Sequence, residues 1–328
     1  MRRRQFITLL GGIGTTAAWP LAARAQQSSG LPLIGILSPQ SAATAAPNLE
    51  ALRSGLHDLG YVEGRNITID VRYANGDLGR ISKLAAELVA LKPAAIVAGS
   101  EPAILAVRNA TRTIPIVMSA TNEDPVALGL AVSLARPGSN VTGFWLEGDA
   151  PLIWKRLELL KDVMPQISRV GIIVNPDLTI DISAAKSLPA APGLTVRIFE
   201  VRALNDLEAV LATAAREGVQ GLVFSNSPFF ATHRTEVAAM TARAGLPAVY
   251  AFREFAAAGG LMSYASSLPD IYRRSATLVD KILRGTNPAD LPIERPTKYE
   301  LVINLKAAKV IDLTVPPSLL SRADEVIE

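Results

Sequence analysis

Leu33-Ile34-Gly35-Ile36-Leu37 and Val170-Gly171-Ile172-Ile173-Val174 are two short apolar runs, each broken by a glycine at the same point, and their likeness decides the fold. A run that is apolar at every position, rather than at every second one, predicts a strand buried on both faces, the habit of parallel sheets covered by helices. Working outward from the first run, Asn48 to Leu59 predicts a helix with Leu49, Leu52, Leu56 and Leu59 at helical spacing. Asn66 to Tyr73 then alternates as a strand, and Asp77 to Leu91 predicts a second helix. Ala94 to Ala98 is a third strand, Ala103 to Thr111 a helix and Ile114 to Met118 a fourth strand. Such alternation of strands and helices predicts an α/β protein with parallel sheets.

The order then starts again. Leu207 to Arg216 followed by Gly221-Leu222-Val223-Phe224 repeats the helix and strand before Gly99, and Leu246-Pro247-Ala248-Val249-Tyr250 repeats Ile114-Pro115-Ile116-Val117-Met118, proline included. Three matches in the same order at similar offsets predict two lobes of one topology rather than one long sheet. The turn residues Arg136-Pro137-Gly138-Ser139-Asn140 set the junction between Asn140 and Asp149. Gly259 to Tyr264 reads as a turn and a short strand, and Pro269 to Arg284 as a helix ended by Gly285. This piece is expected to return to the first lobe. The expected division is therefore 31–145 plus about 256–286 for the first lobe, and 146–255 plus about 287–328 for the second. Pro288, Pro292 and Pro296 lead to a last strand, Leu301-Val302-Ile303, on the second lobe. Several crossings between two lobes make a hinge rather than a loose linker.

The amino terminus carries an address. Arg2-Arg3-Arg4, the uncharged run Ile7 to Ala18 and the small-residue site Ala23-Arg24-Ala25 form the three regions of an export signal over residues 1–25. The apolar run is too short to span a bilayer as a helix. Arg3-Arg4-Gln5-Phe6-Ile7 looks like the twin-arginine signal, which exports folded proteins, with an ordinary Sec signal as the alternative. The expected location is the periplasm. Without the four arginines of residues 1–25, the chain holds 29 basic and 30 acidic residues, so its precursor's positive charge argues for no nucleic-acid partner. Cysteine is absent, which excludes disulfides, thiol catalysis, zinc–thiolate sites and a lipidated cysteine. No later run is long and uncharged enough for a membrane span. The composition predicts a soluble, exported, two-lobed protein.

Further segments carry a family resemblance. They are Leu52-Arg53-Ser54-Gly55-Leu56 through Gly60-Tyr61-Val62-Glu63-Gly64-Arg65-Asn66, Leu134 to Gly143, Phe252-Arg253-Glu254-Phe255, Gly259 to Tyr264, and Val302-Ile303-Asn304-Leu305-Lys306. With them the chain resembles the substrate-binding proteins of ABC transporters of the tryptophan/tyrosine uptake-like kind, over nearly all of residues 31–328. The resemblance implies a type I periplasmic-binding-protein fold with two Rossmann-like lobes, a small-molecule ligand such as an amino acid, an inner-membrane ABC permease as partner, no cofactor and no catalysis. A monomer is expected. The chain departs from the pattern where Pro189 and Pro192 interrupt an expected helix, and where Ser227 stands at an expected acidic position.

In open parallel sheets a ligand sits off the carboxyl ends of the strands. That rule selects Ser38 and Gln40 after the first strand, Ser100 and Glu101 after the third, and Thr121, Asn122 and Asp124 after the fourth. From the second lobe it selects Asn175, Ser225, Asn226, Ser227 and Phe252. Ser100 could hold a carboxylate at the helix that follows, or simply cap it. Asp124 could pair with an ammonium, or cap at Pro125. Phe229, Phe230 and Tyr264 could stack on an apolar ligand, with core packing as the alternative, favoured for Phe230. Trp145 and Trp154 flank the junction. Arg273 and Arg274 read as the solvated face of the Pro269–Arg284 helix. His57 and His233 have no neighbouring metal-ligand pattern, and Gly12-Ile13-Gly14-Thr15-Thr16-Ala17 matches a dinucleotide fingerprint only inside the export signal. The sequence holds no nucleophile elbow and no phosphate loop. The reading is a solute-binding component of an importer. A receptor-docking sensor and, behind it, a secreted hydrolase are the alternatives.

Overall fold

The computed structural model describes residues 30–146, 150–176, 185–186 and 193–328. The export signal and the Pro189–Pro192 interruption lie outside them. Two sheets emerge. The first runs β11 (Ile293–Glu294), β5 (Val141–Phe144), β4 (Ile116–Met118), β3 (Ala95–Ala98), β1 (Leu33–Ser38), β2 (Thr68–Tyr73), with every pairing parallel. The second runs β13 (Glu325–Ile327), β12 (Tyr299–Asn304), β10 (Met262–Ser266), β9 (Ala248–Tyr250), β8 (Gly221–Phe224), β6 (Arg169–Val174), β7 (Thr195–Glu200). Only the pairing of β10 with β12 is antiparallel there. The two glycine-interrupted runs are β1 and β6, each with a strand on both sides. Gly35 and Gly171 lie at close approaches: a Cβ would lie 3.2 Å from the Leu88 side chain and 2.8 Å from that of Leu222 respectively.

Helices cover both faces of each sheet, so the central strands are buried throughout, as their unbroken apolar runs require. On one face of the first sheet, α1 (Ala42–Asp58) packs along a helix from much later in the chain, Leu268–Leu283. Leu49, Leu52 and Leu56 meet Ile271, Ala276 and Val279 there. Gly55 permits the approach, because a Cβ at that point would sit 2.5 Å from the Arg273 carbonyl oxygen. The other face carries α2 (Ile81–Ala90) and α3 (Glu101–Ala110). The second sheet is covered on one face by α4 (Ala150–Val163), and on the other by α5 (Leu204–Arg216), α6 (Pro228–Thr232), α7 (Arg234–Arg243) and α8 (Arg253–Ala257). The Leu268–Leu283 helix is α9; α10 (Leu305–Val310) and α11 (Pro317–Leu320) complete the order. No helix among the described residues is long and apolar enough to cross a membrane.

Helix α1 begins six residues before the predicted Asn48. Ser41 caps it through Oγ, which accepts from the Thr44 N–H, and Pro47 is accommodated inside the helix rather than marking its start.

The third part of the chain divides differently from the expectation. Gly259 to Tyr264 does not return to the first lobe: β10 pairs with β9 and β12, so both its edges belong to the second sheet. The chain crosses only afterwards, at Ser267, whose Oγ accepts from the Asp270 N–H and starts α9. Residues 287–294, expected on the second lobe, lie on the first sheet. Ile293 and Glu294 pair with β5, and Thr142 Oγ1 donates to the Leu291 carbonyl at 2.9 Å. Three segments therefore link the sheets: one after β5, Ser267 between β10 and α9, and residues 295–298 between β11 and β12. Arg274, predicted to face solvent, instead fastens this region. It bonds the Glu294 carboxylate and lies 4.7 Å over the Phe144 ring. Arg273 bonds Ser54 and Asp58, tying α9 to α1.

Candidate functional site

Each sheet has a point where successive connections leave in opposite directions, between β1 and β3 in the first and between β6 and β8 in the second. At such a point the carboxyl ends of the strands leave a crevice. Ser38 lies at the first, with its Oγ accepting from the Gln40 N–H, and Gln40 itself lines a groove between the two sheets. Ser100 occupies the N-cap position of α3 without capping it: its Oγ is enclosed and has no hydrogen-bond partner. Glu101 begins α3. Removal from water pushes its carboxyl above the usual range, and the nearby negative charge of Glu123 pushes it further. Sequence reasoning missed Glu123, because acidic residues in loops are common. Thr121 is buried and donates to the Glu123 carbonyl.

One hydrogen bond spans the crevice directly: Asn226 Nδ2 donates to Asn122 Oδ1 at 3.2 Å. The Asn122 carbonyl in turn accepts from Trp145 Nε1 at 3.2 Å, beside the first crossing. Ser227 caps α6 by accepting from the Phe229 N–H, and Asn175 Nδ2 donates to the Val201 carbonyl. Both are buried at the strand ends and act there on backbone.

Three selected residues do not join this cluster. Asp124 is exposed, and its Oδ1 accepts from the Val126 N–H, so the capping alternative describes it. Tyr264 packs on the α4 side of the second sheet and stacks on Tyr299, 6.0 Å away, because its position in β10 points it to that face. Phe230 is wholly buried, in edge-to-face contact with the rings of Phe224 and Phe229. Phe229 is partly covered by Phe230 and His233.

The groove between the sheets is walled by Gln40, Thr44 and Asn48 from the first lobe. Arg234, Phe252 and Glu254 face them from the second, with Leu268 from the crossing segment. A second groove continues past Phe252, Glu254 and Leu268 to Ser266 and Glu300. Of these, only Gln40 and Phe252 were selected from the sequence. Tyr272 was missed too. It reaches from α9 to the end of β3, where its hydroxyl abuts Gly99, and burial pushes the phenol well above its usual range. Arg156 of α4 is fully buried and donates from Nε to the Tyr264 carbonyl at 2.9 Å and from Nη1 to the Phe224 carbonyl, joining the middle of β10 to the end of β8. No group of residues suited to hold a metal occurs among the described residues.

Two similar lobes, three crossings and a groove between strand ends describe a vessel for a small molecule, and comparison with known proteins agrees. Residues 33–327 match the family described as ABC transporter substrate binding protein. The chain belongs to that family. It is a family of solute-binding proteins rather than enzymes, and its fold is the type I periplasmic-binding-protein fold. A tyrosine-binding protein of Clostridioides difficile (strain R20291) is 27% identical over 273 residues, covering 81% of this chain and 78% of that one. The ABC domain from Streptococcus pneumoniae, solved in complex with L-Trp, superposes with a TM-score of 0.80 at 25% identity, covering 91% of this chain and 100% of that one. A conserved domain protein from Vibrio cholerae gives the same score and identity, covering 90% of this chain and 100% of that one.

Proposed function

We propose that this chain is the exported solute-capturing component of an ABC importer, and that it takes an α-amino acid into the groove between its lobes. The observation that carries this reading is a pair of opposite charges. Arg234 and Glu254 both line the groove, both are partly buried, and neither lies within ion-pair distance of an opposite charge among the described residues. Among the described residues Arg234 donates only to the Ala231 carbonyl. An amino-acid zwitterion supplies the missing partners, a carboxylate for the guanidinium and an ammonium for the carboxylate, and both pairs strengthen as closure removes water. A neutral sugar would leave both charges desolvated and unpaired, at a cost. The relatives that bind tyrosine and carry L-Trp support the same class.

Binding works as a population shift. A ligand held by Arg234 and Glu254 on one side and by Gln40 and Asn48 on the other stabilises the closed arrangement, which the permease would recognise. The export-signal pattern of residues 1–25 supports capture in the periplasm, and Arg3-Arg4-Gln5-Phe6-Ile7 favours the twin-arginine route over Sec. The test is a thermal-shift and calorimetric screen of the purified protein against the standard amino acids and simple sugars. Ligand at 100 times its dissociation constant adds about 2.7 kcal/mol to stability. Binding of an amino acid, lost in Arg234→Met and in Glu254→Gln, is the expected result. Saturable binding of sugars alone would refute it.

A further inference from the structure

We propose that Trp145 is a positioning residue that joins the hinge to the crevice, so that bending at the crossings carries Asn122 toward or away from Asn226. Trp145 opens the first crossing, immediately after β5. Its backbone N–H donates to the Glu294 carbonyl at 2.9 Å, at the foot of the third crossing. The guanidinium of Arg295, in that third crossing, lies 5.3 Å over its ring, a cation held against an aromatic face. On the crevice side, its indole Nε1 donates to the Asn122 carbonyl at 3.2 Å, and the next N–H, that of Leu146, donates to the Thr121 carbonyl at 2.8 Å. The loop after β4 is therefore fastened twice to the first crossing. That loop carries the Asn122 side chain, whose Oδ1 accepts from Asn226 Nδ2 of the second lobe at 3.2 Å. Trp145 is partly buried against the core of the first lobe, and its indole is rigid, so the ring passes a displacement on rather than absorbing it. Crossings that shift past one another as the lobes bend must move this ring, and with it the Asn122 carbonyl. A hydrogen bond weakens steeply as its geometry is lost, so the state of the hinge decides whether the bridge to Asn226 forms. The coupling is reciprocal: losing the bridge must also be felt at Trp145.

The experiment measures the width of the crevice in the full exported chain without ligand. Cysteine is absent, so two introduced thiols are labelled at the chosen sites alone. Leu78 and Asn205 are exposed just past the carboxyl ends of β2 and β7. These strands form the sheet edges opposite the crossing strands, where opening moves the rims furthest apart. Leu78→Cys and Asn205→Cys carry spin labels, and pulsed electron paramagnetic resonance gives the distribution of distances between them. Trp145→Phe keeps a ring beneath Arg295 and removes the donor to Asn122. It should raise the ratio of long to short distances at least about threefold, in keeping with one lost hydrogen bond. Asn226→Ala, which removes the bridge itself, should act in the same direction. The two together should open the crevice no further than Asn226→Ala alone, because they cut one path. An unchanged ratio in Trp145→Phe, or effects of the two variants that multiply, would overturn the proposal. A tryptophan that only fills space would lower the melting temperature and leave the distances as they are. Should Trp145→Phe fail to fold, the reciprocal measurement decides. With Trp154→Phe, Trp145 is the sole tryptophan of residues 26–328, and Asn226→Ala should shift its fluorescence to longer wavelength. An identical spectrum would overturn the coupling. Neither readout involves a ligand, so amino-acid capture stands or falls separately.

Discussion

Replacing Gly99 by alanine tests whether Tyr272 is wedged against the end of β3. A Cβ built at Gly99 lies 1.8 Å from the Tyr272 hydroxyl oxygen and 3.1 Å from Cζ. An ordinary contact needs about twice the first distance. The phenol cannot swing aside cheaply, because Tyr272 is 7% exposed and α9 is packed along α1. Overpacking of this kind costs about 1–3 kcal/mol. In domains of this size each kcal/mol lowers the melting temperature by about 2–4 °C. Tyr272→Phe removes the clashing atom. Its hydroxyl has no hydrogen bond to any described residue, so that change alone should cost no more than about 0.5 kcal/mol. Combined with Gly99→Ala it should restore most of the loss, giving a coupling of at least about 1 kcal/mol in a double-mutant cycle read by denaturant unfolding. Strict additivity would refute the placement of Tyr272 at the crevice and, with it, the docking of α9 on the first sheet.

Glu101→Gln should raise the melting temperature near pH 7 and leave it unchanged below about pH 4. The folded protein holds this carboxyl above its ordinary range through burial and then Glu123, so the fold disfavours its ionised form. That cost is absent while the group is protonated in both states and appears as pH rises through the folded pKa. A melting-temperature series against pH reads the difference, and an equal gain at both ends of it would count against the mechanism. Asn122→Ala removes the bridge to Asn226, worth about 1 kcal/mol, and should shift the ligand-free protein several-fold toward the open arrangement. Small-angle scattering should then report a larger radius of gyration; an unchanged radius would mean the bridge does not bias closure. Gly143→Ala should destabilise by about 3 kcal/mol or more, since φ is +135° and a Cβ would press on the Met118 backbone. Thermal unfolding within about 1 kcal/mol of the native protein would contradict the register of β4 with β5.

The fold was legible where burial writes directly into composition. β1, β3, β6 and β8 are covered by helices on both faces, so every position but Ser38 and the exposed Arg169 is apolar or glycine, and the repeat between halves stands out. β5 went unread because it has four residues, follows the turn at Pro137 to Asn140 and contains Gly143, so turn chemistry masks it. β11 has two residues and is held by Thr142, Arg274 and the Trp145 N–H, none of which is adjacent in sequence. β10 was seen as a strand but given to the wrong sheet. Its own residues are compatible with either, and the choice is made by vacant edges on β9 and β12, which is tertiary information.

The site was legible only as far as strand ends define it. That rule finds Gln40, Asn122, Asn226 and Phe252, because loops after parallel strands must face the crevice whatever their residues. It cannot find Asn48, Arg234, Glu254 or Tyr272, which reach the crevice from helices. On a helix, a charge such as Arg234 or Glu254 reads like any solvated position, and Tyr272 reads like any member of an apolar stripe. Asn48 is different, and here a signal existed. It precedes Leu52 by four residues and Leu49 by one, inside the stripe that Leu49, Leu52 and Leu56 define as buried. A helix gains nothing by burying an amide there unless something bonds it, and no described residue does. A polar residue at a strand end is harder to read, because capping and backbone bonds compete for it there, as they do at Asp124, Ser227 and Asn175.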